Sequence, residues 1–376
     1  MSKTLHRWLG LGLAVFLLIQ GVTGGLLLYG NRLDSALQPE LNPAVAGTNR
    51  AAFDAVRAAA EAAAPDSQVI FIDRPRPGRS SYRVVLDSAL GERLYFHPDT
   101  LELLVRRSVW AEPVDIIEAV HTGVIGGEAL EILLGLAGLL CLPLLITGLI
   151  RWWPRRRWRS ALRIQWRNPR VFLFTSHRAI GAVLSLLLLF IVATGVALSF
   201  HEWSEKLASG LSGEPPRMHR PQLGDAASPL SVDLSLDALV SAARQRAGGG
   251  EPQFVILPHK PAQPVVFRWR FAKEWHPSGR SELYFHPRSG ELIDAYLIDE
   301  RNNTQRVLDS LYPLHIAAPL GAAGKSVWLF AALGLVYFCL SGVAIWWYGW
   351  QRKRTSGRRR GVRDEPRDAA VLNVEP

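Results

Sequence analysis

Cysteine is scarce: the 376-residue chain has two, Cys141 and Cys339. Both lie inside apolar runs, which excludes a disulfide framework and any zinc or iron–sulfur site built on cysteine. No GxGxxG follows a predicted strand and no GxxxxGKS/T run occurs, so the usual nicotinamide, flavin and nucleotide sites are missing. HExxH and GxSxG are absent too. None of the long apolar runs carries an acidic residue, which removes the most characteristic feature of a proton- or ion-coupled transporter.

What is present is apolar length. Mean hydropathy lies slightly above zero, against an ordinary soluble globule. Four runs are long enough to cross a bilayer: 9–29, 132–150, 179–200 and 326–350. The fold expected is therefore an α-helical polytopic membrane protein. The net charge of +10 is unevenly spread. The segments 1–7, 151–178 and 352–376 hold 19 basic residues against four acidic, leaving 24 against 29 for the remainder. By the positive-inside rule both termini and the RWWPRRRWRS loop are cytoplasmic, and the two long loops face the other side. This placement, with Trp152, Trp153, Trp346 and Trp347 as an interface belt, excludes nucleic acid as partner and leaves membrane lipid. The first run is too long for a secretory h-region and lacks a small-x-small cleavage site, so it reads as an uncleaved anchor.

The chain matches itself. HRWLGLGLAVFLLIQGVTGGLLLYG from His6 aligns without gaps on HRAIGAVLSLLLLFIVATGVALSFH from His177, with nine of 25 positions identical. A second offset aligns Asp115 with Asp309, His121 with His315, and Trp152–Trp153 with Trp346–Trp347; GERLYFHPDTLEL echoes SELYFHPRSGEL. Two tandem repeats follow, each a span, an outer α+β domain of one helix and several strands, and a second span. The expected boundaries are 5–30 for the first span, 31–114 for the first outer domain, and 115–153 for the second span with its entry segment. A basic loop occupies 154–176 and the third span 177–201. The second outer domain covers 202–308, the fourth span with its entry segment 309–350, and a basic tail 351–376. The Gly-, Pro- and Ser-rich stretch 211–229 reads as a linker.

Because the repeats share a topology, a pseudo-twofold axis along the membrane normal brings equivalent residues to equal depth. His6 and His177 then face each other near the cytoplasmic edge, and two imidazoles are the axial set of an electron-transfer b-type haem, which needs no CxxCH. Gly10 and Gly181, four residues on, leave room on the same face, and Arg7 and Arg178 are placed to meet propionates. An isolated His-Arg pair would simply anchor a helix end; repetition with a matched glycine favours haem. His121 and His315, in D-x5-H-x5-G, form a second pair at the outer entrance, so that one haem sits near each membrane face. The competing reading makes these histidines part of helix starts capped by Asp115 and Asp309. His201 is an alternative outer ligand or a substrate contact. His97 and His286, at strand ends in YFHP, read as structural, and His219, His259 and His276 as surface residues. Thr23–Gly24, Thr147–Gly148, Thr194–Gly195 and Ser341–Gly342 supply small surfaces for helix packing, or border a porphyrin.

The HRxxG first span, the H-x5-G entry, the Trp-Trp end and the two outer domains resemble the PepSY-associated transmembrane family across roughly residues 3–354. The resemblance implies an iron-regulated bacterial inner-membrane protein and, in some members, a ferric-siderophore reductase with b haem. The matching histidines are His6, His121, His177 and His315. The expected activity is transfer of single electrons from an external quinol or flavoprotein to a periplasmic ferric chelate or siderophore. The alternatives are a non-redox membrane protein whose outer domains bind or regulate a periplasmic partner, and an iron or siderophore transporter.

Overall fold

The structure, a computed structural model, describes residues 2–45, 51–89, 91–153, 158–215, 221, 223 and 234–361. The elements in chain order are α1 (Ser2–Leu27), α2 (Gly30–Leu37), α3 (Phe53–Ala63), β1 (Val69–Asp73), β2 (Tyr82–Leu86), β3 (Arg93–Phe96), β4 (Leu103–Arg107), α4 (Pro113–Thr122), α5 (Gly127–Trp152), α6 (Trp158–Ala161) and α7 (Pro169–Ser199). They continue with α8 (His201–Ser212), α9 (Leu236–Ala247), β5 (Glu251–Ile256), β6 (Val265–Arg270), β7 (Ser281–Phe285), β8 (Leu292–Tyr296), α10 (Asn303–His315) and α11 (Gly321–Gly361). Among the described residues four helical stretches are long and apolar enough to cross a membrane: Lys3–Leu27, Val124–Trp152, Pro169–Ser199 and Ala318–Arg352. They answer to the four apolar runs and fit a polytopic membrane protein.

The chain divides into two compact units. The first comprises Met1–Val22, Ala137–Val192 and the described part of Phe330–Pro376. Its core is a cluster of Leu13, Leu17, Ala137, Cys141, Leu144 and Cys339, bordered by Leu9, Phe16 and Leu335. Small residues set the helix spacing. A Cβ added at Gly21 would lie 3.0 Å from Val336 Cγ2 and 3.1 Å from the Ala332 carbonyl, so α1 and α11 approach backbone to backbone. Cys141 and Cys339 are both unpaired thiols, as their setting in apolar runs requires.

The second unit comprises Thr23–Leu136 and Ala193–Leu329. Among its described residues eight strands form one antiparallel sheet in the order β4-β3-β2-β1-β5-β6-β7-β8. The two groups of four strands meet where β1 pairs with β5, Phe71 opposite Ile256 and Asp73 opposite Phe254. This seam joins strands nearly 200 residues apart, and the alternation within each strand group gives no sign of it. A buried apolar cluster unites Phe53 and Val56 of α3, Leu236 and Leu239 of α9, and Ile72, Tyr82, Phe267 and Trp269 of the sheet. The N-termini of α3 and α9 cap each other. Asp54 accepts from the Leu236 and Asp237 amides at 2.8 and 3.2 Å, and Asp237 accepts from the Phe53 and Asp54 amides at 3.0 Å each. Burial alone would raise the Asp54 carboxyl, but hydrogen bonds from the Ser235 hydroxyl and these amides hold it below the ordinary carboxylate value.

Short helices follow or precede the apolar ones: α2 packs against α4, and α8 against α10. The entry segments are thus separate helices. α4 ends at Gly123, in the left-handed conformation with φ 91°, before α5 begins at Gly127. Asp115 and Asp309 are not their caps, because both lie inside the helices, past the N-cap positions Glu112 and Asn302, where arginines pair with them. Asp115 pairs with Arg93 and Arg83, and Asp309 with Arg280 and Arg301. α10 is capped instead by Asn302, in a reciprocal box with Gln305. α8 runs two residues into the expected linker; most of that linker, His219, four residues of the basic loop and the last 15 residues of the chain lie outside the described residues.

Candidate functional site

In the first unit His6 and His177 meet, ring centres 6.5 Å apart and planes at 86°. Each ring is oriented by the neighbouring apolar helix. His6 Nδ1 donates to the Leu144 carbonyl at 3.1 Å and lies 3.3 Å from Thr147 Oγ1, whose own proton goes to Leu144 O at 3.0 Å. His177 Nδ1 lies 2.8 Å from Ser341 Oγ. That hydroxyl donates to the Tyr337 carbonyl at 2.6 Å, so it accepts from the ring. Both imidazoles therefore carry their proton on Nδ1, and Nε2 is the basic nitrogen, turned away from these partners.

In the second unit His121 and His315 meet at 6.4 Å with planes at 46°. Thr23 Oγ1 lies 2.9 Å from His121 Nδ1, and Thr194 Oγ1 lies 3.0 Å from His315 Nδ1. Burial first, and then the facing His315, push His121 down to about 4, so its ring is neutral near pH 7, the form that ligates metals.

A glycine follows the hydroxyl residue at all four positions, and it has a steric task. A Cβ added at Gly24, Gly148 or Gly195 would stand 3.0 Å from Cε1 of His121, His6 or His315. At Gly342 the distance to His177 Cε1 is 3.7 Å, an ordinary contact. The hydroxyl-glycine steps that read as packing surfaces in the sequence are the seats of the four imidazoles. The shared spacing was visible in the sequence, but its pairing with histidines on other helices was not.

Two imidazoles on one metal, each about 2.0 Å from it with roughly 1 Å more to the ring centre, stand about 6 Å apart centre to centre. Both pairs match that separation. Among the described residues no group of three or more His, Cys, Asp or Glu is arranged to hold a metal ion. Two nitrogens are an incomplete shell for a bare cation, but a complete axial set for an iron whose other four ligands come from a porphyrin. At Gly10 and Gly181 the expected room is taken by side chains: an added Cβ would meet Leu144 Cδ1 at 3.7 Å and Phe338 Cε1 at 3.9 Å, both ordinary contacts. The residues present fit haem.

The remaining singled-out residues make other contacts. Arg7 stacks over Trp8 at 5.0 Å, and Arg178 donates to the Ser160 carbonyl at 3.4 Å. His201 does not join the His121–His315 pair; it contacts Glu205 through Nε2 at 2.9 Å and lines a separate cavity. His97 and His286 shape turns, each accepting two backbone amides on Nδ1, from Asp99 and Thr100 and from Arg288 and Ser289. His259 is half-buried beside Gln263, which accepts from its amide at 3.2 Å. His276, read as a surface residue, packs on Tyr312 inside that same cavity.

No curated protein matches the sequence significantly. The family model described as PepSY-associated TM region matches residues 3–349, which takes in three apolar stretches, most of the fourth and both histidine pairs: the chain belongs to that family.

Proposed function

We propose that this protein is an inner-membrane oxidoreductase that holds two b-type haems, one on His6 and His177 and one on His121 and His315. It passes single electrons from an external quinol or flavoprotein to a ferric chelate or siderophore in the periplasm. The observation that carries the reading is the fourfold recurrence of one arrangement: an imidazole paired with a second at about 6 Å, its Nδ1 held by a partner helix at a hydroxyl residue followed by glycine. Nothing in simple helix packing calls for imidazoles two by two. The sequence repeat supports a duplicated origin for the two halves, and the basic segments support cytoplasmic termini with the two long loops in the periplasm.

When bound, haem supplies a one-electron couple between ferric and ferrous iron. The chain supplies the rest. Thr147, Ser341, Thr23 and Thr194 fix ring orientation and raise ligand basicity, as outer-shell partners of metal-bound histidines do. The glycines admit the rings, and the apolar helices exclude water. The substrate's own chemistry completes the function, because hard oxygen ligands favour Fe(III), and reduction loosens their hold.

The test is a liposome carrying the protein, with a membrane-impermeant reductant sealed inside and ferric citrate plus an Fe(II)-specific chromogenic chelator outside. External Fe(II) should appear only with protein, and His121→Ala should reduce its rate at least tenfold. Absence of Fe(II) above protein-free vesicles contradicts the proposal. Iron entering vesicles that contain no reductant favours a transporter instead, and neither signal favours a partner-binding protein.

A further inference from the structure

The connection between β6 and β7 spans ten residues, 271–280, whereas six, 87–92, join β2 to β3. The longer loop is built around a buried carboxylate. Glu274 accepts from the Phe271 amide at 2.8 Å, the Arg280 amide at 3.0 Å and Arg301 Nη2 at 2.7 Å. Gly279 takes φ 70°, and a Cβ there would collide with the Trp269 carbonyl. The loop delivers two side chains, His276 and Arg280. His276 Nδ1 accepts from the Ser278 amide at 3.1 Å, so the neutral ring carries its proton on Nε2, and it lies 5.1 Å from the Tyr312 ring.

These groups, with His201 and Asp309, line a cavity of about 260 Å³ whose apolar lining is Leu198 and Leu308. Helix spacing ties the cavity to the second histidine pair. Tyr312 precedes His315 by three residues on α10, and Leu198 follows Thr194, the partner of His315, by four on α7. Asp309 is the one carboxylate among the lining residues, and it is engaged by Arg280 Nε at 3.2 Å, Arg301 Nε at 3.2 Å and the Tyr296 hydroxyl at 2.8 Å. Its negative charge is met within the wall by the two arginines. The donors left to the cavity are the outer nitrogens of Arg280, whose side chain is 41% exposed, with Nε2–H of His276 and the Tyr312 hydroxyl. Burial first, and then Arg280, Arg268, Arg301 and Arg270, push His276 down to about 3, so arginine charge prevails around this ring, while Glu118 and Glu205 act on Tyr312 and His201. Donors in a cationic field select an oxygen anion.

We propose that this cavity binds an oxygen-rich anion of tricarboxylate size, and that it seats the anionic edge of the electron acceptor beside His121 and His315. The second clause rests on the proposed function; the first does not. The test is calorimetric titration of the purified full chain with Ga(III) citrate, a redox-inert probe, and with citrate alone. Saturable binding of the gallium chelate is expected, weakened about tenfold by Arg280→Gln and several-fold by His276→Gln. Asp309 keeps Arg301 and Tyr296 in Arg280→Gln, so that variant folds, which an unchanged melting temperature checks. His201→Gln, at an exposed helix position, should weaken binding less than either. No binding by the wild type at millimolar probe, or equal binding by wild type and Arg280→Gln, overturns the site. Tighter binding of citrate than of its chelate overturns the acceptor clause alone. Colourless protein that still binds the probe removes the redox reading and supports the site; haem-bearing protein that does not bind it removes the site and leaves the redox reading standing.

Discussion

Thr23 and His121, 98 residues apart in sequence, meet at 2.9 Å through Oγ1 and Nδ1. Gly24, the next residue of α1, lies so close to the ring that a methyl group would press on Cε1 at 3.0 Å. The same step recurs at Thr194–Gly195 for His315, Thr147–Gly148 for His6 and Ser341–Gly342 for His177. An imidazole held in this way is set for a metal through its other nitrogen.

Separate pairs predict separate losses. His6→Ala or His177→Ala should remove about half the haem and leave the signal of the other pair, and His121→Ala or His315→Ala should do the reverse. Haem-to-protein ratio and a redox titration of each variant check this. Equal loss of both signals in every variant contradicts the two-site assignment.

The hydroxyls predict a graded effect. Thr23→Val and Thr194→Val keep shape but remove the ring's partner, and should weaken haem retention about 10- to 100-fold without unfolding the chain. The rate of haem transfer to an excess of apomyoglobin measures it. A rate equal to wild type would assign these threonines to packing alone.

Within the first pair the two glycines should differ. Gly148→Ala brings a methyl group to 3.0 Å from the His6 ring, whereas Gly342→Ala leaves 3.7 Å to His177. The first substitution should deplete the His6–His177 haem, and the second should leave its absorbance close to wild type. Similar behaviour of the two would mean that ring clearance does not govern binding.

The reciprocal caps of α3 and α9 predict an acid-sensitive contribution. The folded Asp54 carboxyl lies below its ordinary value, so its stabilisation is present above about pH 4 and is lost as pH falls through the lowered folded value. Asp54→Ala should cost about 1 kcal/mol at pH 7, and less at acid pH. Thermal melts across pH read the difference, and a cost independent of pH contradicts the assignment.

The four spans, the strands and the two histidine pairs were legible in the sequence because each is local or repeated. Apolar runs mark the helices, alternation marks the strands, and the repeat pairs His6 with His177 and His121 with His315. Contacts between distant segments left no such trace. Nothing local in Thr23 names His121 as its partner, and nothing in Phe71 names Ile256 across the sheet seam. Asp115 and Asp309 stand before the histidines as N-caps often do, yet arginines far away in sequence claim them. His276 looked like a surface histidine because its loop is ordered by Glu274 and Arg301, a tertiary ion pair at 2.7 Å.

The central claim is that paired imidazoles clasp iron porphyrins, and the visible spectrum of the purified protein before and after dithionite tests it most directly. Bis-imidazole coordination predicts a Soret band that shifts on reduction and sharp α and β bands, with two haems per chain. A colourless preparation, from cells supplied with iron and haem precursor, would contradict it.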